Sequence, residues 1–157
     1  MKRKILPVIV ALLLIAVIGG VWLGGRLYDR YSYSRERADL DAYFQVSGEQ
    51  AAIILQDEMV EEKTVVRDGI CYFDLATVHK NFNEIFYADR SENLLLYTTA
   101  VETYRSGIGE SSYSSNTDSQ DYGYAISFIE NDTVYIAADY VKKFTNLSYE
   151  IYDRHVQ

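Results

Sequence analysis

The side chains most able to do chemistry are few and scattered. Glu58, Glu61 and Glu62 stand close enough to act as paired carboxylates or calcium ligands, and Asp118 and Asp121 lie three apart in a polar stretch. No DxDxDG-like loop surrounds either set, so both read as solvated acids. His79 and His155 are the only histidines and Cys71 the only cysteine. A lone thiol excludes an internal disulfide framework and a Cys-rich zinc site. His79, beside the apolar face of a short helix, reads as a helix-edge residue. These residues point to no catalytic centre, no metal and no cofactor. The remaining candidates are tyrosines. Of the 15, Tyr113, Tyr122 and Tyr124 form a possible ligand surface, because exposed rings stack on sugars. The alternative is that they pack inward. Exposure separates the two.

The elements that would position these residues follow from pattern. Residues 5–25 are 21 residues without a charge, preceded by the tail Met1–Lys4. That length of helix spans a hydrocarbon core of roughly 30 Å. An uncleaved transmembrane anchor is expected, with a cleaved signal peptide as the rival. The tail's cations place the C-terminal part outside the cell membrane. Residues 26–45 are polar and mixed in charge. Arg35 with Asp39 and Arg37 with Asp41 have ion-pair spacing for a helical stalk. After residue 26 the chain carries 11 basic against 23 acidic side chains, a poor match to nucleic acid.

A first β-rich unit is expected over residues 46–104. Ala51–Leu55 is read as a strand and Asp57–Lys63 as a solvated connection. Asp68-Gly69 predicts a type I′ hairpin turn. Asp74 caps a helix whose apolar face is Leu75, Val78 and Phe82. Ile85–Tyr87 and Leu94–Thr98 are strands, the latter central because it is apolar on both faces. Residues 105–121, with six Ser and two Gly, are expected to be the loosest part. A second unit over 122–157 holds an alternating strand Tyr122–Ile129, a turn at Asn131-Asp132, a returning strand, a helix capped by Asp139 and a strand Tyr149–Tyr152.

The two units are related. At an offset of 63 residues, Tyr72 falls on Tyr135, Val78 on Val141 and Lys80 on Lys143. Each reads as hairpin, helix, hairpin. In the second, the counterpart of Leu94–Thr98 starts near His155, so the chain reads as cut within a unit. The fold class expected is α+β: an N-terminal transmembrane helix, then a repeated antiparallel β unit with short helices packed on the sheet.

Asp68-Gly69-x-x-Tyr72-x-x-Leu75-x-x-Val78, Phe86-Tyr87-x-Asp89 and Leu94-Leu95-Leu96-Tyr97 resemble the copper amine oxidase N-terminal-like domain of Gram-positive bacteria. That resemblance implies a non-catalytic stalk module. The order of parts is similar to the N-terminal region of membrane-anchored family 18 glycoside hydrolases of Clostridia. It implies an extracytoplasmic anchoring and spacer domain preceding a cell-wall-directed hydrolase; the alternative is a module binding a glycan such as peptidoglycan, or another surface protein. Despite the family's name, no copper follows from it. The Asp-x-x-Asp-x-Asp-x-Glu strand of family 18 catalysis does not occur in the chain.

Overall fold

A computed structural model describes the backbone of residues 5–31 and 38–157, with side chains from Leu14 onward except 29 and 31. The chain divides into two units, Met1–Ala38 and Asp39–Gln157. In the first, helix α1 covers Ile5–Tyr31. Its large apolar side chains from Leu14 to Leu27 are exposed. Among the described residues no helix is long and apolar enough to cross a membrane. The tail 1–4 and the side chains of Arg35 and Arg37 lie outside the described residues.

The second unit opens with the five-residue helix α2 (Leu40–Phe44). Asp39 caps it through Ala42 N, and Gln45 ends it in a left-handed conformation. Asp41 is engaged by Arg154, which bonds both carboxylate oxygens. Eleven strands follow, in two sheets. The first sheet contains β1 (Gln50–Leu55), β2 (Glu58–Arg67), β3 (Ile70–Asp74), β9 (Ser127–Glu130), β10 (Thr133–Ala137) and β11 (His155–Val156), in the order β11-β1-β2-β3-β10-β9. The second contains β4 (Phe86–Asp89), β5 (Leu94–Thr98), β6 (Thr103–Gly107), β7 (Ser112–Ser114) and β8 (Ser119–Asp121), in chain order. Helices α3 (Leu75–Asn81) and α4 (Ala138–Lys143) follow β3 and β10.

Turn chemistry sets the hairpins. Asp68 and Gly69 have φ of 53° and 79°, and Asn131 and Asp132 of 48° and 63°. Positive φ at both central residues gives the turn whose twist matches paired strands. A third turn of this kind, Gln56-Asp57 at 52° and 67°, joins β1 to β2. Neither residue is a glycine, and the acidic run beyond it was expected to be a connection. It is instead half of a ten-residue strand. Its exposed positions carry Glu58 and Glu61, while Thr64 and Val65 are buried.

The repeat has a geometric meaning. β3 and β10 pair antiparallel with Tyr72 opposite Ala137, Phe73 opposite Ile136 and Asp74 opposite Tyr135. Phe73 and Ile136 are equivalent at the offset of 63, and the flanking pairs exchange with one another. A local two-fold axis therefore passes through the Phe73–Ile136 pair. It relates β2-β3 to β10-β9 and α3 to α4. Each helix packs on both central strands. Phe73 is 1% and Ile136 0% exposed, inside one continuous core that also holds Val78, Val141, Tyr140, Phe86 and Leu95.

The expected fold class is corrected. The domain is mostly β, in two sheets rather than two successive hairpin-helix-hairpin units, and no described helix qualifies as transmembrane. The halves share a sheet because β3 and β10 satisfy each other's main-chain groups. The first half's second hairpin, β4-β5, then joins the other sheet. Its counterpart in the second half is only a bridge between Ile151 and Val156. β11 lies parallel to β1 at a sheet edge, not at a centre. The Ser-rich stretch 105–121 is most of β6, β7 and β8 rather than a loose insertion. Residues 122–126 are not strand but a connector: Ile126 N donates to Glu110 O and Ala137 N to Ile126 O, both at 2.8 Å.

Truncation at the axis pair leaves a cavity in the buried core. Ile136→Ala is expected to lower unfolding free energy by about 2–5 kcal/mol and Phe73→Ala by about 3–5 kcal/mol. Urea denaturation measures both.

Candidate functional site

The tyrosines expected to form a ligand surface are brought together. Ring centroids of Tyr113 and Tyr122 lie 6.3 Å apart, and those of Tyr122 and Tyr124 5.7 Å. They do not stand free. Tyr113 is 2% exposed, and Tyr122 and Tyr124 are half-buried. Tyr113 and Tyr122 pack on Tyr140 of α4, with centroids at 5.5 and 6.2 Å. Burial raises the pKa of all three phenols.

Two carboxylates organise this cluster. Asp118 accepts from the Tyr113 hydroxyl and from Lys143 Nζ, each at 2.7 Å. Lys143 lies 4.9 Å from the centroid of the Tyr113 ring and 5.8 Å from those of Tyr104 and Phe144. Asp139 accepts from the Tyr124 hydroxyl at 2.7 Å and the Tyr149 hydroxyl at 2.8 Å. It was expected to cap α4. It lies instead one residue inside the helix, and Ala137 at the cap position makes no side-chain bond. In the other half Asp74 does cap α3, accepting from Thr77 N. The halves keep the same packing and place their carboxylates differently.

The ionisation states limit the chemistry. Lys143 is held protonated by Asp118 and Tyr113, against the opposing effect of burial. Burial and the bond to Asp139 hold Tyr124 and Tyr149 protonated too. The Cys71 thiol, buried beside Thr64 at 3.2 Å, is pushed up to about 12 by desolvation. Neither a protonated amine nor a protonated thiol is a nucleophile at neutral pH.

The other candidates are dispersed. Glu62 pairs with Lys80. Asp121 accepts from Gly123 N at 2.8 Å, away from the Asp118 node. His79 Nε2 lies 2.6 Å from Phe86 O, tying α3 to β4. His155 stacks on Tyr152 at 4.7 Å. Among the described residues no three His, Cys, Asp or Glu side chains gather as metal ligands. Lys143, Tyr104, Tyr149 and the anchoring role of Asp139 were not legible in the sequence. Asp118 and Lys143 are 25 residues apart, and no local spacing couples them.

Comparison of the chain with family models, curated proteins and solved structures gives no match.

Two outcomes test the cluster. Asp139→Ala leaves two half-buried hydroxyls without their acceptor, and is expected to cost about 1–3 kcal/mol in urea denaturation. The second concerns alkali. The raised phenol pKa values contribute stability in full below the ordinary tyrosine value of 10.0, and it is lost as pH rises toward the folded values. Thermal melts should therefore fall steeply above pH 10, and ultraviolet titration should find Tyr124 and Tyr149 ionising only on unfolding.

Proposed function

We propose that residues 39–157 are a non-catalytic spacer module carried on the outer face of a membrane, with α1 in contact with lipid. The observation that carries this reading is how the reactive groups are used. Asp118, Asp139, Lys143 and His79 each bond another part of the scaffold, and Asp74 caps the helix that follows it. The three tyrosines pack against α4 rather than presenting a flat row. A module that holds a partner domain at a fixed offset needs such cross-ties. Lipid contact is supported by the outward-facing Leu14, Ile15, Val17, Ile18 and Val21, followed by Trp22 with Arg26 5.0 Å from its ring. An aromatic beside a cation suits the level of lipid headgroups. By the resemblance of its motifs, the module would precede a cell-wall-directed family 18 glycoside hydrolase domain of the same protein.

Vesicle flotation tests the lipid arm. The full chain should rise with phosphatidylglycerol-containing vesicles and resist a salt wash, while an Ile15→Asp, Ile18→Asp variant should stay in the dense fraction. Protease added to intact cells should remove residues 39–157. A full chain that stays in the dense fraction, or a domain protected from external protease, would defeat the proposal.

A further inference from the structure

A second feature lies apart from the tyrosine cluster. A cleft of about 490 Å³ opens where the end of β1, the end of α3 and the loop after α4 meet. This size is within the range of small-molecule sites. Phe82, Leu147 and Leu55 provide an apolar floor, half-buried. Around it stand the amides of Gln56, Asn81 and Asn146 and the hydroxyl of Ser148.

Two properties set this cleft off from the rest of the surface. First, no ionisable side chain lines it, although the chain carries 23 acids and 15 Lys and Arg. Second, several of its polar groups are not consumed by the fold, although Thr145 Oγ1 donates to Val141 O and Gln157 Nε2 to Asp57 Oδ1. The side chains of Gln56, Asn146 and Ser148 make no hydrogen bond among the described residues, and Asn81 uses only its Nδ2, to Thr77 O at 3.2 Å. The outer edge of β1 is covered by β11 only opposite Ala52 and Ile53. Beyond them, at Ile54 and Leu55, no strand covers it among the described residues. Elsewhere, at Asp118 and Asp139, comparable groups are tied up.

A carboxamide offers two donors and an acceptor, and a hydroxyl offers both. Set round an aromatic and aliphatic floor without charge, such groups match a ligand with hydroxyl edges and C–H faces. They give no counter-charge to a phosphate, carboxylate or amine. We propose that this cleft binds a neutral saccharide of one or two rings, held by Gln56, Asn81 and Asn146 over Phe82. The site does not rest on the spacer reading and would persist if the membrane assignment failed.

The test uses the full chain, ¹⁵N-labelled, in lauryldimethylamine oxide micelles, whose headgroup contains no sugar. Cellobiose and N,N′-diacetylchitobiose are titrated to about 20 mM, a range that captures weak binding. At least one should cause saturable shifts in the side-chain amide signals of Gln56, Asn81 and Asn146, unchanged between low and high salt. Asn146→Ala and Gln56→Ala should each weaken binding about three- to tenfold, the worth of one neutral hydrogen bond. Both sit on exposed positions, so their melting temperatures should match the parent and a loss of binding cannot be ascribed to unfolding. Three results would overturn the site: no saturable shift with either sugar, shifts centred on Tyr122 and Tyr124 instead, or response only to an uncharged peptide such as acetyl-tetraalanine amide, which would mark the β1 edge as a strand-docking site.

Discussion

The antiparallel pairing of β3 with β10 is the constraint on which the rest depends. Two related segments meet head to tail about Phe73 and Ile136, and each completes the main-chain hydrogen bonding of the other. A strand left at a sheet edge exposes unpaired N–H and C=O groups; this arrangement places both related strands in the sheet interior. It also sets α3 and α4 across the same two strands, which fixes Val78 and Val141 in the core at 0% exposure. The second sheet then closes over the helices through Phe86, Leu95, Tyr97 and Tyr113.

Burying so many tyrosines means that hydroxyls must find acceptors. Asp139 and Asp118 provide them, as Ala125 O does for Tyr72 at 3.1 Å. The Thr64 hydroxyl is matched by Tyr72 O at 2.6 Å. Among the described residues the accounting is incomplete at three places: Thr77 Oγ1, Ser127 Oγ and the Tyr140 hydroxyl are buried without a protein partner. Tyr140 lies at the centre of the aromatic cluster, ringed by Phe86, Tyr113, Tyr122 and Phe144. An unmet hydroxyl there is costly, and the close edge-to-face packing of its neighbours offsets part of that cost.

This division of labour bears on function. Where polar groups are used to cross-tie the scaffold, as at Lys143 and Asp118, they are unavailable to a ligand. Where the scaffold leaves amides free over apolar side chains, as around Phe82, it has recognition chemistry to spare. The tyrosines that looked most like a ligand surface belong to the first category. The amides of Gln56, Asn81 and Asn146 belong to the second. The proposed spacer role draws on the first category and the proposed saccharide cleft on the second.

Short-range features were legible in the sequence because their causes are local. The Asp68-Gly69 and Asn131-Asp132 turns follow from residues that tolerate positive φ, the Asp74 cap from one side chain reaching three residues ahead, and the repeat from shared apolar positions. The β1–β2 turn was hidden because Gln56 and Asp57 carry weaker signals for a left-handed conformation. The Ser-rich stretch was misread because strands β6 to β8 draw their order from neighbours rather than from β-branched content. Sequence alone determined that two related hairpin–helix segments exist, how each turns and which face of each is apolar. Only the tertiary structure decided that they meet about a shared axis rather than repeat in series, that Asp139 anchors tyrosines rather than caps a helix, and that uncharged amides from three distant segments line one cleft. The Asp139 bonds join residues 10 and 15 apart and the β3–β10 pairing joins residues 61 to 65 apart, and their free energy comes from burial and main-chain pairing that no local spacing encodes.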